Sequence, residues 1–123
     1  MDLKGVRVLL VEDAWHLGVA MKKLLGALGA DVAGPAATAA EGERLLVEHA
    51  PDVALVDFHL RDGERADALI DLLHDRGVHV VVTSGYSVVP LAPEKVAAIL
   101  KKPVTKSQLL AALHPVAARK PTP

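Results

Sequence analysis

The 123-residue chain predicts an α/β domain built on a five-stranded parallel sheet. Two observations predict it. Short apolar runs rich in Val and Leu alternate with segments whose apolar residues recur at helical spacing. The stronger runs are also apolar nearly throughout, as expected of strands covered on both faces.

The first run is Val6-Arg7-Val8-Leu9-Leu10-Val11, too short for an ordinary helix, and it ends on Glu12-Asp13. From Ala14 the spacing turns helical: Leu17, Ala20, Met21, Leu24, Leu25 and Leu28 share one face, Lys22 and Lys23 the other, and Gly29 stops the helix. Asp31 to Gly34 is a weak second strand closed by Gly34-Pro35. Thr38-Ala39-Ala40-Glu41 has capping-box spacing and starts a helix to about His49. After Pro51-Asp52, Val53 to Val56 forms the third strand, ending on Asp57. Ala66, Leu69, Ile70, Leu72 and Leu73 make a helical face stopped at Gly77. Val78 to Val82 is the fourth strand and leads into Thr83-Ser84-Gly85. The segment from Tyr86 to Glu94 carries two prolines and reads as a short helix or loop. Ala97 to Leu100 is the fifth strand, running into Lys101-Lys102-Pro103. Thr105-Lys106-Ser107-Gln108 repeats the capping-box pattern and opens a last helix through Leu109, Leu110, Leu113 and Val116, with Pro115 bending or ending it. One domain over residues 1–118 is expected, followed by a disordered tail at 119–123.

Composition narrows the function. A net charge of −1 from 14 basic and 15 acidic side chains leaves no basic stripe for nucleic acid or a membrane surface. The chain has one Trp, one Tyr and one Phe, too few for base-stacking platforms. The absence of Cys excludes disulfide scaffolds, thiolate zinc sites and thiol catalysis. Arg7 and Glu12-Asp13 interrupt the only early apolar run, so no secretory signal is expected. No apolar stretch reaches the ~18 residues of a membrane span. A cytoplasmic location is the expectation. The six histidines are scattered without metal-ligand spacing and read mostly as surface or helix-end residues.

In a parallel sheet the strand ends at Glu12-Asp13, Asp57, Thr83-Ser84 and Lys102 share one edge, the edge where open α/β sheets bind ligands. Glu12 and Asp13 alone are ambiguous. They form either a solvated acidic helix start or a carboxylate pair whose repulsion a divalent cation relieves. With Asp57, Ser84 and Lys102 the set suits phosphoryl transfer to a carboxylate. Asp57 would be the nucleophile, magnesium would take oxygens from Glu12, Asp13 and Asp57, and Lys102 and the Ser84 hydroxyl would meet phosphoryl oxygens. Thr83 is an alternative hydroxyl, although alternation along the strand points it to the other face. Trp15 reads as a packing residue at the helix start.

These residues resemble the receiver domain of bacterial two-component response regulators, over essentially the whole chain. The matching pieces are Val8-Leu9-Leu10-Val11-Glu12-Asp13, Ala54-Leu55-Val56-Asp57, Val81-Val82-Thr83-Ser84-Gly85-Tyr86 and Lys101-Lys102-Pro103. The resemblance implies a doubly wound, flavodoxin-like sheet of order 2-1-3-4-5, with two helices on one face and three on the other. It implies Asp57 as phosphoacceptor, and magnesium on Glu12, Asp13, Asp57 and the backbone carbonyl of His59. Lys102 would contact the phosphoryl group, Ser84 would be the switch hydroxyl, and the Lys102-Pro103 bond would be cis. The phosphodonor would be a sensor histidine kinase or a histidine phosphotransfer protein. Such a domain is not an enzyme acting on separate substrates; it catalyses only its own phosphorylation and dephosphorylation. With no output domain after Pro115, its signal would pass by contact to an output protein that the sequence does not identify.

Three departures stand out. Ile99 replaces the usual aromatic three positions before the lysine, Val104 replaces the aromatic after the proline, and the fourth helix is expected to be abbreviated. The standard output relay is therefore not carried over, and a module acting by constitutive, phosphorylation-independent contacts stays open. Asp57-Phe58-His59 also invites comparison with the Asp-x-His-x-x-Gly signature of cobalamin-binding domains. Gly63 comes one residue late for that motif, and the motif belongs after the first strand.

Overall fold

The computed structural model describes residues 3–86 and 89–119. Five parallel strands form one sheet in the order β2-β1-β3-β4-β5. They are β1 (Arg7–Val11), β2 (Asp31–Ala36), β3 (Val53–Asp57), β4 (His79–Ser84) and β5 (Ala98–Lys101). The helices are α1 (Trp15–Ala27), α2 (Ala39–His49), α3 (Asp67–Asp75) and α4 (Lys106–Arg119).

The side-chain alternation of strands sorts the apolar runs onto two faces. Val8, Leu10, Val53, Leu55 and Val81 pack with Leu25 of α1 and Leu109, Leu113 and Val116 of α4. Their neighbours Leu9, Val11, Ala54, Val56, Val80 and Val82 pack with Leu46 of α2 and Leu69, Ile70 and Leu73 of α3. Successive residues are thus buried on opposite sides, which is why the runs carry no polar alternation. Each buried Leu or Ile contributes roughly 1.5–3 kcal/mol over its exposed state.

Both capping signals are realised. The Thr38 hydroxyl accepts the Glu41 N–H at 3.1 Å. At α4 the exchange is reciprocal: Thr105 Oγ1 accepts the Gln108 N–H at 3.1 Å, and Gln108 Oε1 accepts the Thr105 N–H at 2.9 Å.

Several expectations need correction. Strand β2 does not close at Gly34-Pro35 but continues until Ala36 pairs with Val11, with an irregularity between Leu9 and Val11. As an edge strand it tolerates a residue without an N–H, and Gly34, at φ 111°, absorbs the irregularity. Pro115 does not end α4, which runs on to Arg119. Buried Leu113 and Val116 hold it on either side of the proline, and Arg119 Nε donates to the Pro115 carbonyl at 3.2 Å. Arg119 is therefore helical rather than part of a tail, and residues 120–123 of that expected tail lie outside the described residues. The abbreviated fourth helix is, among the described residues, a single 3-10 turn at Pro93–Lys95. Val89, Leu91 and Val96 pack against the α2–α3 core there, and Lys95 pairs with Asp71 of α3 at 2.6 Å. Trp15 is 67% exposed and packs little, because it opens α1 facing solvent. His79 is half-buried rather than on the surface, and its Nε2 has no hydrogen-bond partner among the described residues. Among the described residues, no helix is long and apolar enough to cross a membrane.

Candidate functional site

The carboxyl ends of β1, β3, β4 and β5 deliver Glu12, Asp13, Asp57, Ser84 and Lys102 to one edge of the sheet. Each is fixed by its own strand. The Glu12 N–H bonds the Ala36 carbonyl at 2.8 Å, so the extension of β2 past Pro35 holds this corner. The Lys102 N–H bonds the Ser84 carbonyl at 2.7 Å. The Lys102-Pro103 bond is cis, as the resemblance implies, and Gly34-Pro35 is cis as well.

At the centre, Lys102 Nζ lies 2.9 Å from Glu12 Oε1 and 3.0 Å from Asp57 Oδ2. Glu12 and Asp57 are only 3% and 5% exposed, and Asp13 is half-buried. The three acids each present an oxygen, and these oxygens lie within 4.8 Å of one another. Glu12 Oε2 also accepts the Ala14 N–H at 3.2 Å, and Asp57 Oδ1 accepts the His59 N–H at 3.4 Å.

Burial acts on the charges here. It pushes the Glu12 carboxyl up from the usual 4.5 to about 7; the Asp57 carboxylate beside it adds to the rise, against the opposing Lys102 ammonium and Ala14 N–H. Burial alone would depress the Lys102 ammonium, but its contacts to Glu12 and Asp57 outweigh that and hold it above its ordinary value. The ammonium therefore stays charged and acts as the counter-ion of the acidic pair.

The donor set fits a small hard cation. Magnesium takes oxygens at about 2.1 Å in octahedral geometry, so opposite ligands stand about 4.2 Å apart. Three carboxylate oxygens within 4.8 Å are close to such a set.

Ser84 is fully buried, and its hydroxyl accepts the Tyr86 N–H at 3.0 Å. Thr83 looks instead into a cleft of about 370 Å³ between α1 and α4, where it lies among Leu17, Met21, Leu24 and Leu109. That places Ser84, not Thr83, off the apolar cleft, in line with strand alternation. The residues of Asp-x-His do not assemble into a separate site: His59 is exposed on the loop after β3.

Two residues at the rim were not singled out from sequence. The Tyr86 ring lies 4.7 Å from the His59 ring, and Arg61 Nη2 donates to the Asp13 carbonyl at 3.3 Å. Both bridge loops more than 25 positions apart, and the only advance signal was that each sits two to four residues beyond a polar strand end.

Comparison with known proteins agrees with this fold. No protein-family model matches the chain. The chain is 27% identical over 117 residues to the chemotaxis protein CheY of Thermotoga maritima, spanning 91% of this chain and 98% of that protein. Among solved structures it resembles a CheY-like response regulator receiver domain protein of Methanospirillum hungatei JF-1 at 25% identity. That match covers 92% of this chain and 94% of the other, with a TM-score of 0.78. A response regulator receiver domain protein from Clostridium thermocellum superposes with a TM-score of 0.80 at 21% identity, over 93% and 95% of the two chains. By its fold and its match over nearly the whole length of these proteins, the chain resembles the CheY-like response-regulator receiver domains.

Proposed function

We propose that this receiver domain takes a phosphoryl group onto Asp57 from a phosphohistidine, on a sensor histidine kinase or a histidine phosphotransfer protein, in the cytoplasm. The observation that carries the reading is the Lys102 ammonium bridging buried Glu12 and Asp57, with Asp13 beside them. In the transfer, an Asp57 carboxylate oxygen forms the new O–P bond while the P–N bond to the donor imidazole breaks. The electron pair leaves with the imidazole nitrogen, and the product is an acyl phosphate. Glu12, Asp13, Asp57 and the His59 carbonyl would hold magnesium, which supplies charge neutralisation for the phosphoryl oxygens. Lys102, already on Asp57 Oδ2, is placed to follow the charge onto the phosphoryl group. The Ser84 hydroxyl can donate its proton to a phosphoryl oxygen while still accepting the Tyr86 N–H. The domain acts only on itself, and its output passes through protein contacts. In this reading neither nucleic acid nor a membrane is a partner.

The test is intact mass or phosphate-affinity electrophoresis after incubation with magnesium and acetyl phosphate. A single phosphoryl adduct is expected, absent from Asp57→Ala. No adduct on the wild type, or one that survives Asp57→Ala, would overturn the assignment. Partner binding that is equal with and without phosphodonor would favour the constitutive module.

A further inference from the structure

We propose that Arg61 is a positioning residue for the divalent-cation site, bracing Asp13 through its main chain. This rests on the magnesium reading above. The Asp13 carbonyl lies outside both regular ladders. The first helical bond of α1 runs from the Gly18 N–H to the Ala14 carbonyl at 2.9 Å, so the carbonyl one residue earlier takes no helical donor. Arg61 fills that role at 3.3 Å from a loop 48 positions away.

The loop that carries Arg61 is fixed on both sides. Phe58, Leu60 and Ala66 are buried anchors. The Leu60 N–H bonds the Glu64 carbonyl at 2.8 Å, and the Glu64 N–H returns to the Arg61 carbonyl at 3.2 Å. His59 and Arg65 form an antiparallel bridge. The chain curls back through Asp62 at φ 60° and Gly63 at φ 76°. Glu64 Oε1 ties the loop to α2 through the Ala39 N–H at 3.0 Å, and Arg65 is held at 2.8 Å by both Asp67 oxygens. Arg61 thus projects from a fixed base toward the corner after β1.

The carboxylates of Glu12 and Asp57 have hydrogen-bond partners of their own, whereas Asp13 is gripped at its carbonyl. Holding that peptide restricts where the Asp13 side chain can point, and it ties together the two loops that bear the cation's oxygens. Groups that orient a ligand from behind commonly govern metal affinity.

The sign of the effect separates bracing from plain charge. As a nearby cation, Arg61 repels a dication, so its removal would tighten binding. As a brace, its removal loosens binding. Magnesium titration by calorimetry at 0.15 M salt should show Arg61→Ala weaker than wild type by about tenfold, the low end for orienting partners. Arg61→Lys should fall between the two, since it keeps the charge and one reachable donor. Melting temperatures in EDTA should match within about 2 °C, as expected for an exposed side chain. Equal or tighter magnesium binding by Arg61→Ala would overturn the bracing alone. Should Arg61→Ala melt lower in EDTA, Arg61→Lys decides: binding as weak as the alanine variant's refutes the brace, and intermediate binding supports it. A wild type that binds magnesium no better than Asp13→Asn would overturn the cation site and the brace together.

Discussion

In metal-free buffer, raising the pH from 5 to 8 should destabilise the protein through Glu12. The carboxyl sits at about 7 in the folded chain against an ordinary 4.5. Between those values the native state keeps a proton that the unfolded chain has already released. Stability from this group is therefore full below 4.5, declines across the window, and is lost once the pH passes 7. At 1.36 kcal/mol per pH unit the ceiling is about 3 kcal/mol. Lys102 opposes the shift and is counted within it. For a domain of this size, with about 4 °C per kcal/mol, the melting temperature should fall by up to ~10 °C.

The assay is thermal unfolding in EDTA at several pH values, for the wild type and Glu12→Gln. Only the difference between the two curves belongs to Glu12. His79 works in the opposite direction, because burial lowers its pKa and its stabilising contribution is lost as the pH falls below 6.5; it is common to both proteins. Lys102, held above 10.5, loses its contribution only at higher pH, outside the window. Parallel curves for the two proteins would refute the argument. So would a wild type that gains stability over Glu12→Gln between pH 5 and 8.

Two structural predictions accompany it. Gly34→Ala should cost about 3 kcal/mol or more in urea unfolding, because a Cβ there would lie 2.4 Å from the Leu10 carbonyl oxygen in a left-handed backbone; a loss under about 1 kcal/mol would show that β2 does not approach β1 so closely. Thr105→Ala should cost about 1 kcal/mol by removing one half of a reciprocal cap, and an unchanged denaturation midpoint would refute the cap's contribution.

The sheet and its ligand edge were legible because parallel strands covered on both faces leave continuous apolar runs, and the first polar residue after each run marks the edge. Asp57 after Val53 to Val56 is the clearest example. The path of β2 was not legible, since Gly34-Pro35 is a local stop signal overridden by pairing of Ala36 with Val11. The replacement of the fourth helix by a 3-10 turn could be foreseen only as an abbreviation. Its attachment depends on Val89, Leu91 and Val96 finding the α2–α3 core and on Lys95 finding Asp71. Trp15 misled because aromatic residues are usually expected to pack, while its place at the start of α1 turns it to solvent. Arg61 escaped notice because its partner is a main-chain carbonyl, and nothing in the side-chain pattern advertises that.

The same geometry bears on how a change at Asp57 can travel. A relay that swings a large ring between a buried and an exposed position needs two unlike environments and a side chain free to rotate. Ile99 offers neither: it is already 43% exposed, and its β-branching stiffens χ1. The Ser84 hydroxyl is coupled instead to the Tyr86 N–H, and the Tyr86 ring, 63% exposed, rests against His59 on the loop that follows Asp57. If Asp57 is phosphorylated as proposed, a shift of Ser84 would therefore reach the Tyr86–His59 rim through the Tyr86 N–H as well as β5 through the Lys102 N–H on the Ser84 carbonyl.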